Sequence, residues 1–479
     1  MPQKFPKVLS AALFMILIGA TCLPTNYCPV PDPIEPPIAG SLGGGLDGFD
    51  SPYVGHTGSW NGKGSALGGA SKGSDMDKEV EMGLRWTFMA IYWRAMEPNG
   101  PISVFDNQAW AELDRFVKEA QARHLNILMQ APVIGGNAGS PPDWAGSREA
   151  GKSAPMNMQA AADFAGKMAQ RYKPGGIVPT QEGWGNSFGI RAWELDNEPA
   201  SYLTNWSGQA GDYAEFVTLC AAAIRAEDPD AVIVTPSITS YLSPWLTQTL
   251  DAHALEGSPF YRQQGIPHSI GPDTDAVSFH IYEGLDTYLG GEDDTVDCRF
   301  VSIRNTFESY ENVPGFEYER KKEYWHTEGN FDFGLSELSP EQKASWYWQF
   351  MTRAFAAGMR KVCIMDATAA ERKAVRIYAQ ALPAPHPMIY SVDQIEVLAG
   401  KAHAFRHPLG DQPQDGRIWV LWAEDGTQGA VVRLPVQSDQ VGIVDHLGNT
   451  QIIPANGNQV TLGLQGGGDA STTYLLLDR

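Results

Sequence analysis

Two segments, Trp193-Glu194-Leu195-Asp196-Asn197-Glu198-Pro199 and Tyr324-Trp325-His326-Thr327-Glu328-Gly329-Asn330, each run apolar and aromatic residues into a single glutamate stopped by Pro or Gly. A strand rich in β-branched and aromatic residues that ends this way delivers its last side chain to a loop mouth. Two such ends can set two carboxylates opposite each other. Glycosidic bond cleavage needs such a pair, one as proton donor and one as nucleophile or base. The alternative is two solvated glutamates in loops.

The elements that must position these ends alternate short apolar strands with amphipathic helices, the pattern of a parallel α/β fold. A first strand is expected near Ser41–Phe49, followed by a Gly-rich loop through Gly73. Strands follow at Leu84–Trp93, Asn126–Val133, Gly189–Leu195, Ala231–Pro236, Asp275–Tyr282, Glu323–Thr327 and Lys361–Asp366. The helices between them are Asp75–Met82, Trp110–Arg123, Ala160–Tyr172, Tyr213–Ala226, Trp245–Leu255, Arg299–Tyr310, Pro340–Ala357 and Ala370–Ala381. Eight strand–helix units close a (β/α)8 TIM barrel, whose functional residues sit at strand C-terminal ends. Trp93, Arg94, Glu198, His280, Tyr282, Glu328 and Asp366 all fall there. Beyond Pro383-Ala384-Pro385-His386-Pro387 helical periodicity stops, and short strands between Gly/Asn turns predict a small C-terminal β-sandwich over 384–479.

The barrel segment, 40–383, resembles clan A glycoside hydrolases, closest to families 39 and 5 and to related bacterial exopolysaccharide hydrolases. Four places carry the resemblance: Trp93-Arg94-Ala95-Met96-Glu97-Pro98 with Gly100 and Phe105; Asn197-Glu198-Pro199; Ser278-Phe279-His280-Ile281-Tyr282; and Glu328-Gly329. It implies Glu198 as general acid/base, Glu328 as nucleophile, and a retaining mechanism without cofactor. The chain departs from the pattern at Ile364-Met365-Asp366, where a Trp platform is usual, and at Asp196, a position often aromatic.

On that resemblance, Glu198 must hold its proton near neutrality and Glu328 must stay ionised. Tyr282 and Arg85 or Arg94 are the expected neighbours of Glu328. Asn197 is placed to donate to a sugar 2-hydroxyl, and His280 to position substrate. Trp93, Trp144, Trp184, Tyr202, Trp206 and Trp325 offer stacking surfaces, with Trp144 and Trp206 favoured for the cleft. Trp325 is expected between barrel and helices, because the strand alternation turns it away from Glu328.

The bulk numbers narrow the partners. A net charge of −21 argues against nucleic acid and anionic membrane surfaces. Lys4 and Lys7 precede an apolar run from Val8 to Ala20, too short to span a bilayer, so residues 1–22 read as a signal peptide. Cys22 resembles a lipoprotein processing site, with lipidation and plain secretion as the alternatives. Residues 23–39 form a Pro-rich tether. The five cysteines show no metal-ligand spacing, and no structural metal is expected; Cys220 and Cys363 read as small buried hydrophobes.

The resulting expectation is an exported retaining glycosidase acting on a β-linked poly- or oligosaccharide. The alternatives are a non-catalytic glycan-binding barrel and a scaffold protein of a cell-surface polysaccharide system. Solvent-facing Trp419 or Trp422 on the β-domain would mark the last of these.

Overall fold

The computed structural model describes residues 53–57, 73–134, 141–147, 154–199, 206, 210–235, 270–280, 303–309, 322–328, 338–365, 369–382, 388–408, 417–424, 427–467 and 471–478. The expectations for residues 1–49, Cys22, Tyr202, Trp245–Leu255, Tyr282, Asp366 and the Pro383–Pro387 boundary lie outside them.

Eight parallel strands close a barrel in sequence order: β1 (Tyr53–Thr57), β2 (Trp86–Tyr92), β3 (Asn126–Val133), β4 (Ala192–Glu194), β5 (Val232–Val234), β6 (Ala276–His280), β7 (Glu323–Glu328) and β8 (Lys361–Met365). Closure is made by β1 pairing with β8 from Tyr53↔Lys361 to Thr57↔Met365. The strand that closes the barrel, Tyr53–Thr57, falls within the segment that the sequence reads as a Gly-rich loop. The Gly-rich surroundings hide it: five residues between glycine clusters give too short a run for alternation to stand out.

Helix ends obey local chemistry. Asn107 caps the Gln108–Ala122 helix by accepting from Trp110 N at 3.1 Å, and Asn157 caps Met158–Tyr172 by accepting from Ala160 N at 3.0 Å. Ser339 and Gln342 form a reciprocal capping box, with Pro340 at the first turn, and start the Pro340–Ala356 helix. The Gln108–Ala122 helix buries Ala109, Trp110, Leu113, Phe116, Val117 and Ala120, a three-to-four-residue stripe turned to the barrel. Each large apolar side chain so buried contributes roughly 1.5–3 kcal/mol.

The barrel interior is packed, and its lower layer corrects one expectation. Trp86, Phe88, Ala90 and Tyr92 of β2 join Leu128, Ala192, Val232, Val234, Ala276 and Trp325 in one buried cluster separate from the barrel–helix core. Trp325 thus points into the barrel, edge-on to Trp86 at 5.8 Å, with Lys361 Nζ 4.4 Å from its ring centroid. Simple alternation fails along β7 because the β6–β7 register shifts between Phe279 and His280, so that His280 pairs with Glu328. This bulge takes up one residue, and Trp325 no longer has to face away from Glu328.

The C-terminal domain packs a three-stranded sheet, β10-β13-β16, against a six-stranded sheet, β15-β14-β17-β12-β11-β9. In chain order these are Ile389–Tyr390, Glu396–Ala399, Ala402–Pro408, Arg417–Ala423, Gly429–Pro435, Gln440–Asp445, Thr450–Pro454, Gln459–Gln465 and Tyr474–Asp478. The three strands before Arg417 escape the sequence pattern. Trp419 lies in the sandwich core and Trp422 in the barrel-side core, on opposite faces of β12 and both 0% exposed. Neither can serve as a solvent-facing surface for the scaffold alternative. Trp422 instead stacks on Phe405 and His403 beneath the Arg353 guanidinium of the Pro340–Ala356 helix. From the same helix, Gln349 Nε2 donates to Ser471 O and Thr473 Oγ1, both at 3.1 Å, so buried polar groups also join domain to barrel.

Candidate active site

β4 is only three residues long and ends in Glu194; the next turn presents Glu198. Two non-glycine residues of that turn, Asp196 (φ 69°) and Glu198 (φ 44°), have left-handed backbone, which costs on the order of 1–3 kcal/mol each. Neighbouring strands supply the compensation. Asp196 Oδ1 accepts from Ile134 N at 2.9 Å, Asn197 Oδ1 accepts from Gln130 Nε2 at 3.0 Å, and Leu195 N donates to Val234 O at 3.3 Å. Tyr213 adds a hydroxyl donation to Leu195 O at 2.7 Å. Asp196, which departs from the family pattern, is fully buried and serves as this clamp.

Glu198 meets His280 and Glu328 at the barrel mouth. His280 Nδ1 lies 2.7 Å from Glu198 Oε1 and 4.0 Å from Glu328 Oε2. The side chains of His280, Glu328 and Glu198 are 0%, 4% and 12% exposed. One donor-type atom of each lies within 4.8 Å of those of the other two. Burial alone would push the imidazole down. The charge of Glu328, the hydrogen bond and charge of Glu198, and the charge of Glu194 outweigh it and raise His280 to about 9. An imidazolium shared by two carboxylates results. It supplies the positive charge beside Glu328 that was expected from an arginine. Arg94 instead forms an exposed ion pair with Asp143 at 2.9 Å, and Arg85 stands before the opposite end of β2.

A stability signature follows. An unfolded His titrates near 6.5, so protonated His280 stabilises the fold fully below that pH, and its contribution is lost as pH rises through about 9. Thermal unfolding of the wild type from pH 6 to 10 is expected to show a falling Tm that His280→Asn lacks. Parallel pH slopes in the two proteins would contradict it.

The sequence-predicted residues divide. Glu198, His280 and Glu328 come together, with Asn197 held beside them by Gln130. Trp93 does not join them: it is 0% exposed, stacked on Phe164, edge-on to Trp144, and donates from Nε1 to Glu97 Oε2 at 2.9 Å. Glu97 also takes Lys167 Nζ at 2.7 Å, so the Trp-Arg-Ala-Met-Glu-Pro run is a structural staple after β2. Trp206 is 7% exposed and wedged edge-on against Tyr213, leaving little ring face for a sugar. Trp144 keeps partial exposure while donating to Glu97 O at 2.7 Å. Strand-end position identified these residues, but the helical turn Trp93–Met96 rotates Trp93 away from the mouth.

Three contributors escaped the sequence reading. Gln130 is a polar residue in the wholly buried strand Asn126–Val133, and that oddity was the available signal. Tyr92, last residue of β2, is close enough to Asp196 and Glu328 that burial and both charges push its phenol up. Glu194 is fully buried below the turn, with Ser278 Oγ donating at 2.7 Å and Thr327 Oγ1 at 3.4 Å. Two carboxylates and an imidazole are also a metal donor set. Here the imidazole holds a proton bonded to one of those carboxylates, so a divalent ion would have to displace it.

The fold places the chain among known barrels. A glucosidase from Croceicoccus marinus superposes with a TM-score of 0.56 at 13% identity, over 92% of this chain and 97% of that one. The family 51 α-L-arabinofuranosidase AbfB from Bifidobacterium longum gives 0.56 at 12% identity, over 90% and 96%. A GH39 enzyme from Xanthomonas axonopodis pv. citri gives 0.50 at 10% identity, over 85% and 91%. Neither a protein-family model nor a curated relative matches the sequence. These likenesses show the fold, a closed parallel barrel followed by a C-terminal β-domain.

Proposed function

We propose that the protein is a retaining glycoside hydrolase. The supporting observation is the Glu198–Glu328 pair, with carboxylate oxygens within 4.8 Å across a buried barrel mouth. Retaining pairs stand about 5–5.5 Å apart, whereas inverting pairs leave about 6.5–9.5 Å for a water. In this reading Glu328 attacks the anomeric carbon as the leaving-group oxygen takes a proton from Glu198. The proton that His280 Nδ1 holds towards Glu198 Oε1 passes through Glu198 to the leaving group, which leaves the imidazole neutral and Glu198 ionised. Glu198 then takes a proton from the water that displaces Glu328, and that proton restores the charged His280–Glu198 pair.

The substrate proposed is a β-linked poly- or oligosaccharide, and the location outside the cytoplasm, reached through the leader and held by lipid at Cys22 or released. The basis for export and anchoring is the N-terminal sequence alone. A panel of aryl β-glycosides and soluble β-glycans tests the reading. Turnover of at least one with net retention at the anomeric carbon is expected. Binding without cleavage across the panel would favour the glycan-binding alternative.

A further inference from the structure

Beneath the three mouth residues lies a carboxylate that the proposed chemistry does not use. Glu194 is the last residue of β4 and 0% exposed. Ser278, two residues before His280, donates to Glu194 Oε1 at 2.7 Å, and Thr327, next to Glu328, reaches the same oxygen at 3.4 Å. Ser278 is itself fixed to the residue after β5: its N donates to Thr235 Oγ1 at 2.9 Å, and its one hydroxyl hydrogen is shared between Glu194 Oε1 and Thr235 O, each 2.7 Å from Oγ. β4, β6 and β7 carry the three mouth residues, and neither β6 nor β7 is a neighbour of β4 in the sheet. One oxygen therefore ties three strands across the barrel, each within four residues of a mouth side chain.

We infer that Glu194 is a positioning residue for the Glu198–Glu328 pair, a buried carboxyl group that sets their separation through Ser278 and Thr327, with a second, electrostatic effect on His280 between them. The inference rests on the glycosidase reading for its kinetic consequence. Its charge arm does not. Three carboxylates, Glu328, Glu198 and Glu194, act on His280, and the first two must change ionisation or bonding during turnover. Glu194 touches no reacting atom. Burying a charge costs desolvation even with hydroxyl partners. An uncharged amide would satisfy the same hydroxyls, so packing alone does not call for a carboxylate.

Glu194→Gln, Ser278→Ala and the wild type make the test, because the amide keeps size and an acceptor while removing charge. Two readouts are taken: steady-state kinetics on the best aryl glycoside, and the titration of ring-labelled His280 followed by NMR. Glu194→Gln is expected to lower kcat about 10²-fold with KM within about threefold, and to move the His280 titration to lower pH. Ser278→Ala should lower kcat in the same direction while leaving that titration closer to wild type. Wild-type kcat and an unmoved titration in Glu194→Gln would overturn the proposal, as would a kcat loss matched by the unfolded fraction. A wild type that cleaves nothing would end the glycosidase reading, while the His280 titration would still decide whether Glu194 governs the charge.

Discussion

Glu328→Ala is expected to lose at least about 10⁴-fold in kcat on every substrate the wild type turns over, because it removes the group that forms the covalent bond. The loss should be independent of leaving group, since no better leaving group replaces a missing nucleophile. A second consequence follows from the site's electrostatics. The charge of Glu328, with the hydrogen bond and charge of Glu198, holds His280 charged against its burial. Its removal should lower the His280 titration and leave the Nδ1–Glu198 pair more readily deprotonated. Added azide, occupying the vacated space, is expected to give a glycosyl azide of inverted configuration. Equal turnover by wild type and variant would remove Glu328 from the chemistry.

Glu198→Ala should behave differently. General acid–base assistance is worth about 10²–10⁴-fold, and the loss falls on both steps only when the leaving group needs protonation. With an activated aryl glycoside the first step should survive and the second stall. Steady-state KM should then fall together with kcat, as the glycosyl-enzyme accumulates. Azide needs no general base, so it should accelerate turnover and yield a glycosyl azide of retained configuration. The two variants thus separate by the stereochemistry of one product. An inverted azide from Glu198→Ala, or no response to azide, would mean the roles are assigned wrongly.

Much of this site was legible because the chemistry sits where secondary structure is punctuated. Gly329 follows the last residue of β7, Pro199 closes the turn that follows β4, and β3 has the bounds the sequence predicts, Asn126–Val133. Glu198, His280 and Glu328 could be named because strand ends in a barrel converge. What failed was facing rather than location. Trp93 follows β2 directly, yet one helical turn sends it into the packing below Trp144. Trp325 was misdirected by a bulge that no local residue preference announces. The hydrogen bonds that hold the turn, Ile134 to Asp196 and Gln130 to Asn197, join residues over sixty positions apart and leave no periodic trace. The sequence predicts a substrate-positioning role for His280; its place between both carboxylates depends on the pairing of β6 with β7, which no local pattern encodes. β1 was missed altogether because five residues between glycine clusters carry too little pattern.

The most direct test of the double-displacement account is to trap its intermediate. Incubating the wild type with activated 2-deoxy-2-fluoro glycosides slows both steps, and the second more than the first when the leaving group is good. Intact-mass measurement followed by peptide mapping should find one fluorosugar per chain, on the peptide containing Glu328, with Glu328→Ala unlabelled. A label on Glu198 or elsewhere, or catalysis proceeding with inversion and no adduct, would contradict it.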